Sequence, residues 1–240
     1  MIQTSALTKR FGDFVAVDHL DLRISAGEIF GFLGANGAGK TTSIRMLCGL
    51  LRPSSGEARV NGFDVAHDSE RVKRSLGYMS QRFSLYNDLK AIENLQFYAG
   101  IYRVPFSVAL DSTLPLIRLF GLEPSLKAPT ASLPVGFKQR LSLVCALVHD
   151  PPLVFLDEPT SGVDPKARRE FWEVINTLAG QGKTVIVSTH FMDEAEYCHR
   201  VVVMREGKAV ALGRPSELKR QYEVDSMQEL FIQIVGEVSA

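Results

Sequence analysis

The sequence has few cysteines and no excess of either charge, and both shortages narrow the classes of protein to which it can belong. Its three cysteines, Cys48, Cys145 and Cys198, lie far apart and show no paired metal-ligand spacing. We therefore expect buried free thiols in a reducing compartment. The 27 basic and 27 acidic side chains cancel, so the chain lacks the basic excess that nucleic-acid binding favours, and no nucleic-acid partner is expected.

Long apolar runs are missing as well. "LSLVCALV" is among the longest apolar stretches and is far shorter than the roughly 18 to 20 residues that a membrane span needs. The start, MIQTSALTKRFG, has neither the basic residues nor the apolar run of a signal peptide. We expect a chain that does not cross a membrane by itself and that works in the cytoplasm.

Strand and helix patterns alternate along both ends of the chain but not through its middle. In 1–87 and 150–222, short apolar runs such as "GEIFGFLG" and "LVFLDE" alternate with helical patterns, which indicates a mainly parallel core sheet covered by helices. In 88–149, amphipathic helical patterns such as "AIENLQFYAGIY" replace the strand signals. We predict one α/β domain over 1–240 with a helical lobe inserted at 88–149 and a tail at 223–240.

"GANGAGKT", residues 34–41, matches the pattern G-x-x-x-x-G-K-[ST] and lies between a predicted strand and a predicted helix. In such a loop, backbone N–H groups surround phosphates where glycines leave room, a lysine reaches the β- and γ-phosphates, and a hydroxyl binds Mg²⁺. The pattern therefore predicts a nucleoside-triphosphate site. The residues expected to contact the triphosphate or its Mg²⁺ are Asn36, Gly37, Ala38, Gly39, Lys40 and Thr41.

An acidic pair completes this predicted site. Asp157 ends the apolar strand "LVFLDE" and can reach Mg²⁺ through its water shell, while Glu158 can polarise the attacking water as a general base. Alone, such a pair is more typical of a solvated loop or a helix cap; the upstream phosphate loop reverses that preference. His190, after "TVIVST", could reach the γ-phosphate, and Gln81, at the end of the strand "LGYMSQ", could sense the metal or the water.

In this order, the phosphate loop, the strand-end glutamine, "LDEPTSGVD" and "STH" resemble the nucleotide-binding subunit of ATP-binding cassette (ABC) transporters over almost the whole chain. The resemblance implies a P-loop NTPase fold of the ABC type. That fold has a RecA-like parallel-sheet core, an N-terminal antiparallel β-subdomain and an inserted α-helical subdomain. It also implies ATP and Mg²⁺ as ligands of the site.

The resemblance assigns roles residue by residue. It implies that Thr42 joins Lys40 and Thr41 at the phosphates and metal, and that Gln81 links the metal site to the helical lobe. It makes Asp157 the Walker-type metal acid, Glu158 the catalytic base and His190 the switch at the γ-phosphate. Asp164, in "EPTSGVDP", becomes a contact across a dimer of two such chains.

Recognition of the base is suggested by "KRFG". The resemblance places Phe11 where family members stack an aromatic ring on adenine; the alternative is a core phenylalanine on an early strand. The chain has no [NT]-K-x-D pattern for guanine, so ATP is favoured over GTP.

One expected motif is altered. The family's Leu-Ser-Gly-Gly signature, which contacts the γ-phosphate of ATP held by the other subunit, reads Leu133, Pro134, Val135 and Gly136 here. Proline supplies neither a hydroxyl nor an N–H, and valine adds a branched side chain near the phosphate. We expect a weakened contact to the partner's ATP, and hence either a partner with a full signature or slow turnover as a homodimer. The alternative is that Gly136 and the following helix suffice.

The resemblance implies an exporter-type ATPase, close to the ATPase component of bacterial multidrug and ion exporters. Its expected partners are a membrane permease and a second ABC ATPase chain, and its location is the inner face of the cell membrane. The aromatic residues of "QRFSLYNDLKAIENLQFYAGIY" would then line a groove for a helix of the permease, or else form lobe core. They are Phe83, Tyr86, Phe97, Tyr98 and Tyr102.

Three other classes of protein share parts of this pattern. A soluble ABC-type ATPase of translation or DNA repair would usually carry two cassettes or a long coiled-coil insertion. A small-molecule kinase has a phosphate loop but no need for the signature region, the Asp164 turn and His190 together. A non-catalytic binding module would be expected to lose Glu158 or His190, and both are present.

Overall fold

The computed structural model describes residues 1–81 and 84–236, with side chains to residue 234. The strands are β1 (Ile2–Phe11), β2 (Phe14–Ile24), β3 (Ile29–Leu33), β4 (Ser55–Val60), β5 (Phe63–Asp64), β6 (Gly77–Met79), β7 (Leu153–Asp157), β8 (Thr184–Thr189), β9 (Arg200–Arg205) and β10 (Lys208–Gly213). The α-helices are α1 (Lys40–Leu47), α2 (Ser69–Arg74), α3 (Ala91–Ile101), α4 (Phe106–Leu119), α5 (Val135–Ala146), α6 (Pro165–Gly180), α7 (Pro215–Gln221) and α8 (Met227–Gly236). Short 3₁₀ helices span Glu123–Ser125, Thr130–Ser132 and Met192–Tyr197.

The central sheet is mainly parallel, as predicted. Its strand order is β10-β9-β3-β8-β7-β6, and every neighbouring pair except β10–β9 is parallel. Strands β3, β7 and β8 are buried on both faces, which explains their nearly continuous apolar sequences. Because parallel strands end at the same sheet edge, the segments that follow β3, β7 and β8 meet there.

A second, antiparallel sheet with the order β2-β1-β4-β5 forms the N-terminal part. Strands β1 and β2 make a hairpin whose last paired residues are Phe11 and Phe14. Gly12 turns the chain between them with φ +58°, a left-handed conformation that glycine adopts without steric cost. The hairpin thus presents two aromatic rings at its tip.

The inserted region is helical, as predicted. Helices α3, α4 and α5 pack on one another, and their buried side chains join those of β7, β8 and α6 in one apolar cluster. Pro115 lies inside α4 without ending the helix. One predicted boundary is wrong: the strand "LGYMSQ" pairs with β7 only at Gly77–Met79, so Gln81 lies in a bend two residues beyond the strand.

Helix hydropathy and the cysteine side chains complete the description of the fold. Throughout the described ranges, no helix has both the length and the apolar composition that crossing a bilayer requires. Cys48, Cys145 and Cys198 are buried and free, as the sequence predicts, and burial raises the pKa of all three thiols.

Candidate functional site

The loop after β3 is built around glycines in left-handed conformations. Gly37 has φ +81° and Gly39 has φ +102°. A side chain at Gly39 would come within 2.6 Å of the carbonyl oxygen of Ala16, whereas space is open around Gly37. Ala38 is buried, and its N–H already donates to the carbonyl of Ala35. The loop therefore holds a fixed concave shape that opens at Gly37.

Lys40 begins α1, and its side chain is only 4% exposed. Its ammonium group donates to the carbonyl oxygens of Gly34 and Ala35, at 2.8 and 3.0 Å, and lies 3.5 Å from Glu158 Oε1. Burial lowers the pKa of Lys40, while the charge of Glu158 opposes that shift. The ammonium group of Lys40 is thus held against the loop by two backbone carbonyl oxygens.

Asp157 ends β7 and is 1% exposed. Its Oδ1 accepts hydrogen bonds from Thr41 at 3.0 Å and from Ser188 at 2.5 Å. Its Oδ2 is buried and accepts no hydrogen bond from any residue that the structure describes. Burial raises the pKa of Asp157, although both hydroxyl donors oppose the rise. An unused carboxylate oxygen beside a threonine hydroxyl is a donor set that suits Mg²⁺.

Glu158 lies at the centre of the site. Its backbone has φ +49°, a rare conformation for a non-glycine residue, and its N–H donates to the hydroxyl and carbonyl of Ser188. The side chain accepts a hydrogen bond from Gln81 Nε2 at 2.9 Å and lies 3.2 Å from His190 Nδ1. With Lys40, three segments that are distant in sequence meet on one carboxylate.

A cavity of about 400 Å³ opens between the phosphate loop and the hairpin tip. Phe11 lines it and is 51% exposed, so it is not the core phenylalanine that the sequence left as an alternative. The lining residues are Phe11, Phe14, Ala16, Asn36, Gly37, Gly39, Lys40, Thr41, Thr42, Gln81 and Glu158.

Phe14 was missed by the sequence analysis. It is 65% exposed and lines the same cavity as Phe11. The available signal was the glycine turn in "FGDF", which brings the two rings to one hairpin tip.

Five predicted site residues do not line this cavity. Ala38, Asp157 and His190 adjoin it through the contacts given above, whereas Gly136 and Asp164 lie at the starts of helices. Gly136 is in the first turn of α5, where Pro134 is the N-cap and Val135 is 49% exposed. Asp164 caps α6, since its Oδ1 accepts from the N–H groups of Lys166 and Ala167, each at 3.0 Å. These backbone bonds, that of Ala167 first, lower the pKa of Asp164.

The predicted aromatic groove divides into two parts. Tyr98 and Tyr102 are partly buried against the lobe core, and Tyr98 donates to the hydroxyl and carbonyl of Ser84. Tyr86 and Phe97 are exposed and make an edge-to-face pair with ring centroids 4.5 Å apart. Phe83 lies outside the described residues. The lobe-core alternative thus holds for Tyr98 and Tyr102 and not for Phe97.

The sequence of this chain matches a known protein family and its members. The profile of the ABC transporter family matches residues 17–161. The probable multidrug ABC transporter ATP-binding protein YbhF of Escherichia coli (strain K12) is 48% identical over 98% of this chain, which spans 42% of that relative's length. The Nod factor export ATP-binding protein I of Cupriavidus metallidurans is 37% identical, with 91% of this chain and 72% of the relative covered.

The fold of this chain is also similar to solved structures of ATP-binding cassettes. An ATP-binding subunit of an ABC transporter superposes with a TM-score of 0.89 at 29% identity, covering 98% of this chain and 99% of the other. The dimeric ATP-binding cassette MJ0796, bound to ADP and Pi in a post-hydrolysis state, gives a TM-score of 0.81 at 25% identity. That alignment covers 89% of this chain and 98% of the other.

Proposed function

This chain belongs to the ABC transporter family, and we propose that it binds and hydrolyses ATP to power transport by a separate membrane permease, as an exporter. The observation that carries the proposal is the set of contacts on Glu158. A general base must lie within reach of its water and of groups that hold the phosphate, and Glu158 contacts Lys40, Gln81 and His190.

The charges of the cavity favour one orientation of ATP. The triphosphate would lie at the loop and at the start of α1, where backbone N–H groups and the helix dipole favour negative charge. The base would then lie toward Phe11 and Phe14 at the hairpin tip. Thr42, which lines the same cavity, would add a hydroxyl at the phosphates.

Mg²⁺ would be held by Thr41 and Asp157, with Gln81 nearby. When bound, the ion neutralises charge on the phosphate oxygens. The chain's own residues do the remaining work. Glu158 accepts the proton of the attacking water, and His190 donates a hydrogen bond toward the γ-phosphate.

Phosphate and Glu158 compete for the same cation. Lys40 Nζ lies 3.5 Å from Glu158 Oε1 in a nearly dry environment, so a phosphate that takes up Lys40 also removes a counter-charge from Glu158. Nucleotide binding would thus leave the Glu158 carboxylate free to hold the attacking water.

Export is supported by relatives whose names are those of multidrug and Nod factor export ATP-binding proteins. A permease helix would dock beside the exposed pair Tyr86 and Phe97, which would hold the chain at the cytoplasmic face of the membrane. A second ABC ATPase chain would complete each site with its own signature and Asp164. The alternatives of a translation or repair ATPase lack such support among these relatives.

The altered signature predicts a weak contact between this chain and the phosphate of ATP bound by a partner chain. Pro134 has no N–H, and Val135 lies exposed where the partner's phosphate would approach. Losing one preorganised donor to a developing anion typically costs about 10²- to 10³-fold in rate. We therefore propose slow turnover for a homodimer and faster turnover beside a chain with a complete signature.

The test is Glu158→Gln, which keeps the shape of the side chain and removes the base. We expect hydrolysis to fall by about 10²- to 10⁴-fold, while ATP binds at least as tightly because Lys40 no longer has a competing carboxylate. Isothermal titration and phosphate release measure the two effects. Unchanged hydrolysis would overturn the proposal, and failure of the chain to co-purify with a polytopic membrane protein would overturn its transport part.

A further inference from the structure

A buried carboxylate lies behind the site, between the two loops that carry Glu158 and His190. Glu194 is in the 3₁₀ helix Met192–Tyr197, which follows His190 closely, and its side chain is 0% exposed. A carboxylate taken out of water costs several kcal/mol unless it is paired and hydrogen-bonded. Glu194 therefore depends on partners within the protein, and those partners are informative.

The first partner belongs to the loop of the acidic pair. Thr160 is 1% exposed, and its hydroxyl donates to Glu194 Oε1 at 2.6 Å. Two residues before it is Glu158, whose carbonyl accepts from Ser161 N–H at 3.2 Å within the same tight turn. The bond between Thr160 and Glu194 therefore ties the turn of the general base to the segment after His190.

The second partner reaches His190 by another path. Arg168, in the first turn of α6, places its Nε 3.5 Å from Glu194 Oε1. Its guanidinium lies 3.9 Å from the ring centroid of Phe191, and that ring lies 4.1 Å from the imidazole of His190. A cation over an aromatic face is attractive, so Arg168 holds Phe191, and with it His190, against α6.

These contacts form a continuous ring of interactions that begins and ends at Glu158, because His190 Nδ1 lies 3.2 Å from Glu158 Oε2. We propose that Glu194 is a positioning residue that fixes Glu158 and His190 relative to each other through Thr160 and Arg168. This role rests on the proposed hydrolysis of ATP. Thr160, Arg168 and Glu194 are called the clamp below. None of the three lines the phosphate cavity, so the clamp acts on geometry and not on nucleotide contact.

The kinetic test uses threonine variants. Thr160→Val keeps size and removes the hydroxyl, and we expect kcat to fall by roughly 10- to 100-fold because small displacements of catalytic groups are that costly. The KM for ATP should stay within about two-fold, since the cavity lining is unchanged. Thr160→Ser restores a hydroxyl and should recover most of kcat.

The matched control is Thr113→Val. Thr113 is also 1% exposed, and its hydroxyl donates to a carbonyl in α4 of the helical lobe. This variant also loses a buried hydroxyl hydrogen bond, here to a neutral carbonyl oxygen, without touching the clamp, so kcat should stay near the wild-type value. An equal loss of kcat in both variants, or none in Thr160→Val, would overturn the proposal.

A second measurement is independent of ATP hydrolysis. The imidazole C–H resonances of His190, assigned by their disappearance in His190→Gln, report its position beside Phe191. We expect them to move in Thr160→Val and in Glu194→Gln but not in Thr113→Val. If the wild-type protein hydrolyses no ATP, the proposed function fails while these resonances still decide on the clamp; unmoved resonances would refute it.

Discussion

The two halves that an ABC-type site needs are built in opposite ways in this chain. The half proposed to bind the chain's own nucleotide is buried: Lys40 is 4% exposed and Asp157 1%. The half proposed to face a partner's nucleotide is the exposed start of α5, where Val135 is 49% exposed. In the first half Lys40 and Glu158 form an ion pair and Asp157 accepts two hydroxyl hydrogen bonds, whereas no side chain among the described residues caps the start of α5.

This difference explains where the sequence departs from the family pattern. Removing one member of a buried charged group leaves the others unpaired, which typically costs about 3 to 5 kcal/mol. Proline and valine at an exposed helix start cost little, because proline is tolerated in the first turn. The fold therefore constrains the residues of the buried half, whereas the start of α5 is constrained only by its proposed contact with a partner.

The largest effect that would sharpen this comparison is expected from Lys40→Ala. The variant removes the one ammonium group at the loop, so nucleotide affinity should fall by about 100-fold or more, since charge-assisted bonds to phosphate are strong. Isothermal titration with ATP measures it. Lys73→Ala, which removes an exposed ion pair with Glu70, is the control. Affinity that survives Lys40→Ala would mean that the buried half does not bind nucleotide.

A smaller effect, in the opposite direction, is expected from Pro134→Ser combined with Val135→Gly. These changes restore a hydroxyl and an N–H at the start of α5. Turnover of the chain alone should rise by about 10- to 100-fold, which does not exceed the roughly 10²- to 10³-fold that one preorganised donor typically contributes to a rate. Serine is also a good N-cap, so stability should change by less than about 1 kcal/mol.

Steady-state phosphate release measures this gain at protein concentrations that allow dimers. A matching pair of changes on the exposed face of α4, Val108→Gly and Leu119→Ser, should leave the rate unchanged. Turnover that is already fast in the unmodified chain, with no gain in the double variant, would show that Gly136 and the helix suffice.

A third prediction concerns His149, which joins the core to the helical lobe. Its Nε2 lies 3.1 Å from the carbonyl oxygen of Leu76, and its ring stacks on Tyr102 with centroids 3.5 Å apart. Burial lowers the pKa of His149 from 6.5 to about 4. The unfolded chain therefore takes up a proton at a pH where the folded chain does not, and stability falls as the pH drops from 6.5 toward 4.

The expected loss at pH 5 is roughly 2 kcal/mol relative to pH 7, from about 1.4 kcal/mol per pH unit. Urea unfolding at the two pH values measures it in the wild type and in His149→Phe, which keeps a ring against Tyr102 but cannot titrate. The variant should lose this part of the pH dependence. Equal slopes in both proteins would show that His149 does not carry it.

The site residues at strand ends could be predicted from the sequence, whereas the contacts that support them could not. Asp157, Glu158 and His190 were predicted because each ends or follows an apolar strand and lies in a motif that resembles the family's. The bond between Thr160 and Glu194, and that from Gln139 Nε2 to the carbonyl of Ser161 at 2.7 Å, were not. They join segments whose distance in space depends on the packing of α5, α6 and a 3₁₀ helix, which no local pattern encodes.

The smallest effect is expected at Phe14 and tests whether a residue of the proposed nucleotide site must be buried. Phe14 is 65% exposed yet belongs to the nucleotide cavity, so Phe14→Ala should cost no stability but weaken ATP binding. Stacking of a base on an aromatic ring is worth about 1 kcal/mol at the low end, or roughly five-fold in affinity. Phe11→Ala should cost a similar factor. Because both rings offer only faces and no hydrogen-bonding groups, ATP and GTP should lose affinity equally in titrations of each variant. A loss confined to ATP would mean that the hairpin reads the edge of the base, and no loss at all would place the base elsewhere.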